Sequence, residues 1–211
     1  MVQETLSSCS LRPGLEKHRK SIRCVPPRRE GIPVQVLMME CDIWLARAED
    51  CKDIMRLIRE LAEFEKSSEQ VEMTEEVLQK DGFAKNPFYQ CLVAELHPEQ
   101  RSKDGFRIIG YALYFFTYST WKGRSIFLED LYVMPEFRGK GIGTNMMSKV
   151  AKVGLSLGCT RLQLSVLDWN QATRDVYTAK GAVDMTAAEG WHLYRFQGEA
   201  LQALAEGAAK G

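Results

Sequence analysis

The sequence predicts an α/β (α+β) domain, a mixed central sheet with helices on both faces. Three observations carry this. From about residue 40 the apolar residues switch between a period of two and a period near 3.6. Phe88–Leu96 and Arg107–Thr117 are rich in β-branched and aromatic residues, with Pro98 and Gly105 in the polar loop between them, so they read as antiparallel strands. A third strand, Ser125–Met134, runs through three glycines into an amphipathic helix.

The elements follow in order. Asp42–Ala46 is a short strand around Trp44. A helix comes next, with Asp50 near its N-cap and Ile54, Leu57, Ile58 and Leu61 on one face. Thr74–Lys80 is a second helix, capped by Thr74 and stopped at Asp81-Gly82. After the three strands, Ile142, Met146, Val150, Val153 and Leu157 mark a helix ending at Gly158. Leu162, Leu164 and Val166 alternate as a strand. Asp168-Trp169-Asn170 opens a helix closed by Gly181, and Trp191–Phe196 is predicted as the last strand. No internal repeat is visible.

Composition sets the frame around this domain. The 211 residues are 45% hydrophobic and 27% charged, ordinary values for a globular domain. No apolar run approaches ~18 residues, so no membrane span is expected. Cys9, Cys24, Cys41, Cys51, Cys91 and Cys159 form no C-x-x-C and no ligand spacing with His18, His97 or His192, so no metal site is expected. Scattered cysteines without a secretory signal read as free thiols in a reducing, cytoplasmic setting.

Charge divides the chain. Residues 1–39 hold seven basic residues against Glu4, Glu16 and Glu30, with Pro13, Pro26, Pro27 and Pro33 and no apolar period. They read as a disordered, basic, proline-containing extension, and Met38 or Met39 is an alternative start. The chain's 28 basic and 28 acidic residues then leave 21 against 25, a net of −4, in the domain at 40–211. That balance suits a small cationic amine and argues against nucleic acid.

The most informative stretch is Arg138-Gly139-Lys140-Gly141-Ile142-Gly143. Glycines between a strand and a helix N-terminus let backbone N–H groups approach an anion, which the helix dipole favours. A P-loop needs Ser or Thr after Gly-Lys, and Gly141 stands there. A dinucleotide fingerprint counted from Gly139 needs a sixth-position glycine, and Thr144 stands there. A ligand-free turn is the plain alternative. The remaining pattern, R-x-x-G-x-G, resembles the pyrophosphate loop of the GNAT N-acetyltransferases, whose order of elements the chain also resembles. A second stretch, Asn170 to Gly181, resembles that family's cofactor motif N-x6-Y-x3-G; Asn170 and Tyr177 lie two helical turns apart, on one side. On an isolated helix the structural reading, Asn170 as an N-cap and Tyr177 as a core aromatic, is the favoured one.

Acetyl transfer to an amine needs a neutral nitrogen, whereas an alkylammonium titrates near ~10.4. A group must remove that proton and another must protonate the departing thiolate. Tyr177, with an ordinary pKa of ~10, suits the acid role. Glu129 and Asp130 stand just before the phosphate-loop end of their strand, on opposite faces by alternation. Asp130 reads either as a functional acid or as a structural one.

Longer segments narrow the resemblance to the diamine (spermidine/spermine) acetyltransferase group. They are Arg56–Glu65, Asp81-Gly82-Phe83, Asn86–Tyr89, Phe127–Asp130 with Val133-Met134, and Glu189-Gly190-Trp191. The resemblance covers residues 42–205 and implies acetyl-CoA as co-substrate and a homodimer with sites at the subunit interface. It implies Tyr177 as general acid and Glu129 as the acid that binds the amine and takes its proton through water. It places Leu131, Tyr132 and Val133 along the pantetheine arm, and Arg138, Gly139, Lys140, Gly141, Ile142, Gly143 and Thr144 at the pyrophosphate. Asn170, Gln171, Ala172 and Thr173 border the cofactor. Phe64 and Glu65, Ser119 and Thr120, and Gln163, Leu164 and Ser165 fall to the amine. Tyr118–Arg124 and Val166–Asn170 resemble the thialysine N-epsilon-acetyltransferase branch. Ser119 and Thr120 replace the polyamine branch's acid and proline, so two hydroxyls face an amino-acid head group where a carboxylate would attract a distal ammonium. Thialysine-type amines are therefore expected as substrates and polyamines as poorer ones; a polyamine acetyltransferase proper, a protein N-acetyltransferase of the same fold and a non-catalytic protein-interaction role on the same scaffold are the alternatives.

Overall fold

The computed structural model describes residues 41–207. The extension expected over 1–39, with its alternative starts, lies outside them. The strands are β1 (Cys41–Leu45), β2 (Gln90–Leu96), β3 (Ile108–Ser119), β4 (Gly123–Val133) and β5 (Arg161–Leu164). The helices are α1 (Cys51–Phe64), α2 (Glu75–Phe83), α3 (Ile142–Ser156), α4 (Gln171–Ala179), α5 (Met185–Glu189) and α6 (Glu199–Ala205). The sheet runs β1-β2-β3-β4-β5, antiparallel through β4 and parallel between β4 and β5. It is the mixed sheet that the sequence predicts.

Cover on both faces follows from burial. Cys91, Leu92, Val93 and Ala94 are buried consecutively in β2, as are Ile108 to Ala112 in β3. Alternate side chains point to opposite faces, so such runs need helices on each side. Helix α1 sends Ile54, Met55 and Leu57 into this core, and α3 sends Ile142, Met146 and Val150. Helix α2 is fixed by Thr74, whose hydroxyl accepts from the Val77 N–H, and by Tyr89, whose hydroxyl donates to the Leu78 carbonyl at 2.6 Å. That helix runs through Asp81-Gly82 to Phe83, past its expected stop. A glycine is needed there because a Cβ at Gly82 would lie 2.3 Å from the Tyr89 ring.

The chain divides at Ser165–Val166 into two compact units. The first carries the sheet with α1 to α3, and the second carries α4 to α6. Here one expectation fails. Trp191–Phe196 has the alternation of a strand but no ladder partner among the described residues, and α5 and α6 flank it instead. Alternation makes a segment competent to pair, while pairing needs an available edge. Gly190 and Gly198, at φ 70° and 54°, bound the stretch with left-handed residues.

Candidate active site

The site is built where β4 ends. The β4–β5 ladder pairs Ser125–Leu128 with Arg161–Leu164 and goes no further. From Glu129 to Val133, β4 keeps β3 on one side and no ladder on the other among the described residues. The β3–β4 register also slips at this point: Leu113 faces Asp130, Tyr114 faces Leu128, and Glu129 is left as the extra residue of a bulge. Bulges re-aim side chains and interrupt pairing next to active sites. The result is a strand edge with free hydrogen-bonding capacity leading to the glycine loop.

The loop is shaped for an anion. Gly139 and Gly141 adopt φ 74° and 81°, so any side chain there would strain the backbone. Gly141 is the N-cap of α3, and no side chain caps that helix. No acid stands in its first turn. The N–H groups at the start of a 15-residue helix therefore keep their need for acceptors. A pyrophosphate fits this donor set, with a dipole contribution of about 0.3–2 kcal/mol.

The loop's cations are engaged with the protein. Arg138 Nε donates to the Val133 carbonyl at 2.8 Å, and its guanidinium lies 4.8 Å from the Phe64 ring centroid and 5.2 Å from that of Tyr132. Lys140 Nζ donates to the Glu136 carbonyl at 3.1 Å and sits over the Phe137 ring. The Tyr132 hydroxyl donates to Glu60, which also accepts from Arg56; Arg56 in turn bonds Asp53 and the Ile108 carbonyl. The end of α1 and the start of the phosphate loop share one network.

Carboxylates gather at the bulge. Glu129 is exposed, whereas Asp130 is partly buried and accepts from the Tyr111 hydroxyl at 2.9 Å. Burial pushes the Asp130 carboxyl up to about 6; the Tyr111 bond opposes this, and the charges of Glu129 and Glu65 add to it. Burial also raises Glu65, the residue that caps α1. Lys66, next in the chain, is the one described non-glycine residue with positive φ, at 57°. It ends the helix immediately after Phe64 and Glu65.

Other expected site residues stand on other elements. Ser119 and Thr120 form the β3–β4 turn, where the Ser119 hydroxyl accepts from the N–H groups of Trp121 and Lys122. Glu129 is six residues along β4 from Gly123, the partner of Ser119. At ~3.3 Å per residue this is roughly 20 Å, beyond the reach of one small amine. The Gln163 amide oxygen accepts from the Ser125 hydroxyl at 3.3 Å, while Leu164 ends β5 and Ser165 is exposed. In the second unit, Asn170 caps α4 by accepting from the Thr173 N–H, and burial raises the Tyr177 phenol. Gln171 bonds Asp175, and Ala172 stands in the first turn. Sequence reasoning missed the Tyr111–Asp130 bond and the Arg138–Phe64 contact. Residues 19 apart on paired strands, or on a helix and a distant loop, leave no periodic trace.

A strand edge opening beside an uncapped helix N-terminus, with carboxylates at a bulge, defines an acyl-transfer site of the GNAT type. The Acetyltransferase (GNAT) family model matches residues 53–182, and the chain belongs to that family. It is an N-acetyltransferase acting on amines. It is 56% identical to thialysine N-epsilon-acetyltransferase of Bos taurus over 76% of this chain and 94% of that one. It is 41% identical to spermidine/spermine N(1)-acetyltransferase-like protein 1 of Homo sapiens, over 76% of this chain and 23% of that one. Among solved structures, an integron cassette protein from V. cholerae matches with a TM-score of 0.62 at 23% identity, covering 79% of this chain and 98% of that one, which shows the fold.

Proposed function

We propose that the protein transfers the acetyl group of acetyl-CoA to a primary amine of a thialysine-type amino acid, with polyamines as poorer substrates. The uncapped, acid-free N-terminus of α3 behind left-handed Gly139 and Gly141 carries this reading. Gly139 to Thr144 hold the pyrophosphate, and the β4 backbone at Leu131 and Val133 bonds the pantetheine arm along the open edge. Asn170 to Thr173 border the cofactor.

Glu129 holds the ammonium and takes its proton through water, and Phe64 and Glu65 position the carbon chain. The neutral nitrogen then attacks the thioester carbon. Collapse of the adduct breaks the C–S bond, the Tyr177 hydroxyl protonates the leaving thiolate, and the second proton shed by the acylated nitrogen restores the Tyr177 phenol through solvent. A phenol raised by burial keeps its proton at neutral pH, as an acid must.

The roughly 20 Å between Ser119 and Glu129 supports a homodimer with shared sites. The turn of one copy then supplies Ser119 and Thr120 to the amine bound at the other. The acetyltransferase domain spans residues 40–211 and works in the cytoplasm on a small amine, with no nucleic-acid or membrane partner.

The test is acetyl-CoA turnover with thialysine, spermidine and a lysine-containing peptide in parallel. Faster turnover of thialysine, lost in Tyr177→Phe, supports the assignment. Preference for spermidine transfers the chain to the polyamine reading and removes the role of Ser119 and Thr120. Turnover of the peptide alone makes it a protein acetyltransferase.

A further inference from the structure

We infer that Arg138 is a positioning residue that latches the phosphate loop to the end of α1 through Phe64, so that an amine-side residue sets cofactor affinity. The inference rests on the cofactor reading above and names a residue that acts through another. Phe64 is the last residue of α1, and Lys66 turns the chain away two positions later in a left-handed conformation. Its ring faces the Arg138 guanidinium, which the Tyr132 ring faces as well. The Val133 carbonyl binds the Arg138 Nε, so the side chain is held by a strand carbonyl and two aromatic rings. Both centroid distances are within the ~6 Å over which a ring quadrupole attracts a cation.

The contacts are directional. Arg138 is the residue at which the chain leaves the three-ten turn Pro135–Phe137 for Gly139, which is left-handed and has no side chain. Tyr132 is itself fixed by its hydroxyl bond to Glu60, one helical turn before Phe64. Helix α1 therefore grips the loop at two points, directly through Phe64 and indirectly through Glu60 and Tyr132. Holding the loop before the ligand arrives lowers the ordering cost of binding. Reciprocity follows: a filled phosphate site also stiffens Phe64 and Glu65, where the amine is read.

The test titrates CoA, without amine, into wild type, Phe64→Leu, Phe64→Tyr, Arg138→Gln and the Phe64→Leu/Arg138→Gln double variant by calorimetry. Phe64→Leu is expected to weaken CoA binding about three- to tenfold, the range of a partly exposed cation–π pair. Phe64→Tyr keeps a ring and is expected to bind within about twofold of wild type. The double variant is expected to bind no more weakly than Arg138→Gln alone, because Phe64 acts through Arg138. A merely structural role would lower the thermal midpoint and leave these affinities additive. Unchanged affinity in Phe64→Leu, or additive losses in the double variant, overturns the latch. Should wild type itself fail to bind CoA, the cofactor reading falls and the latch with it.

Discussion

Asp130 and Tyr177 both hold their protons more tightly than usual because of burial, with different consequences. For Asp130 the ordinary value of 3.8 rises to about 6. Below pH ~4 the group is neutral whether folded or unfolded, and burial costs nothing. As pH climbs through 6 the folded protein must ionise a partly buried carboxyl, and stability falls. Asp130→Asn keeps an acceptor for Tyr111 and removes that charge, so it should stabilise the protein at pH 8 by about 2 kcal/mol and do nothing near pH 4. Urea denaturation at both values checks this; an equal effect at the two pH values would contradict the ionisation argument. For Tyr177 the raised phenol suits the proposed acid role, under which Tyr177→Phe should lower kcat by about 10²–10⁴-fold with CoA affinity retained. The helix that carries Tyr177 was legible because its spacing from Asn170 is helical. The surroundings of Asp130 were not, because Tyr111 reaches it across a bulge that alternation cannot foresee.

At the scale of elements, α1 to α3 and the β2–β4 run were readable from periodicity, and their ends were readable where chemistry marks them. Thr74 caps α2 as its position predicts. Gly82 misled because a glycine within reach of a helix end reads as a stop, whereas here it makes room for Tyr89. Gly82→Ala would drive a methyl into that ring, and loosening the Tyr89–Leu78 bond should cost about 1–3 kcal/mol. A midpoint shift in chemical denaturation measures it, and a neutral outcome would show that the ring moves aside freely. Lys66 gives the opposite sign. A lysine at φ 57° bears strain that glycine does not, so Lys66→Gly should stabilise by up to about 1 kcal/mol in the same assay. The stretch Trp191–Phe196 shows the limit of local reading. Trp191, Leu193, Tyr194 and Phe196 supply strand propensity, yet a ladder is a property of two segments, and the sequence of one does not name the other.

For the molecule as a whole, the thiol reading extends to four described cysteines, since Cys41, Cys51, Cys91 and Cys159 are buried thiols outside any disulfide. Burial pushes the Cys51 thiol up to about 11, so a thiolate-specific reagent should spare it at pH 7 until the protein unfolds. The proposed shared-site homodimer makes a sharper demand. Glu129 and the Ser119–Thr120 turn lie too far apart along β4 to meet at one amine, so under that proposal a complete site takes the core of one copy and the turn of another. Glu129→Gln and Ser119→Ala/Thr120→Val should each be poor with thialysine when alone. Unfolding them together and refolding as a mixture makes half the dimers mixed, and each mixed dimer holds one site with an intact Glu129 core and an intact turn. Activity should then return to about a quarter of wild type, the fraction that random pairing under two-fold symmetry dictates. A mixture no better than the average of its components would place core and turn in the same subunit's site, or remove the turn from the reaction. Sedimentation of the wild type separates these, because a monomer cannot share a site at all.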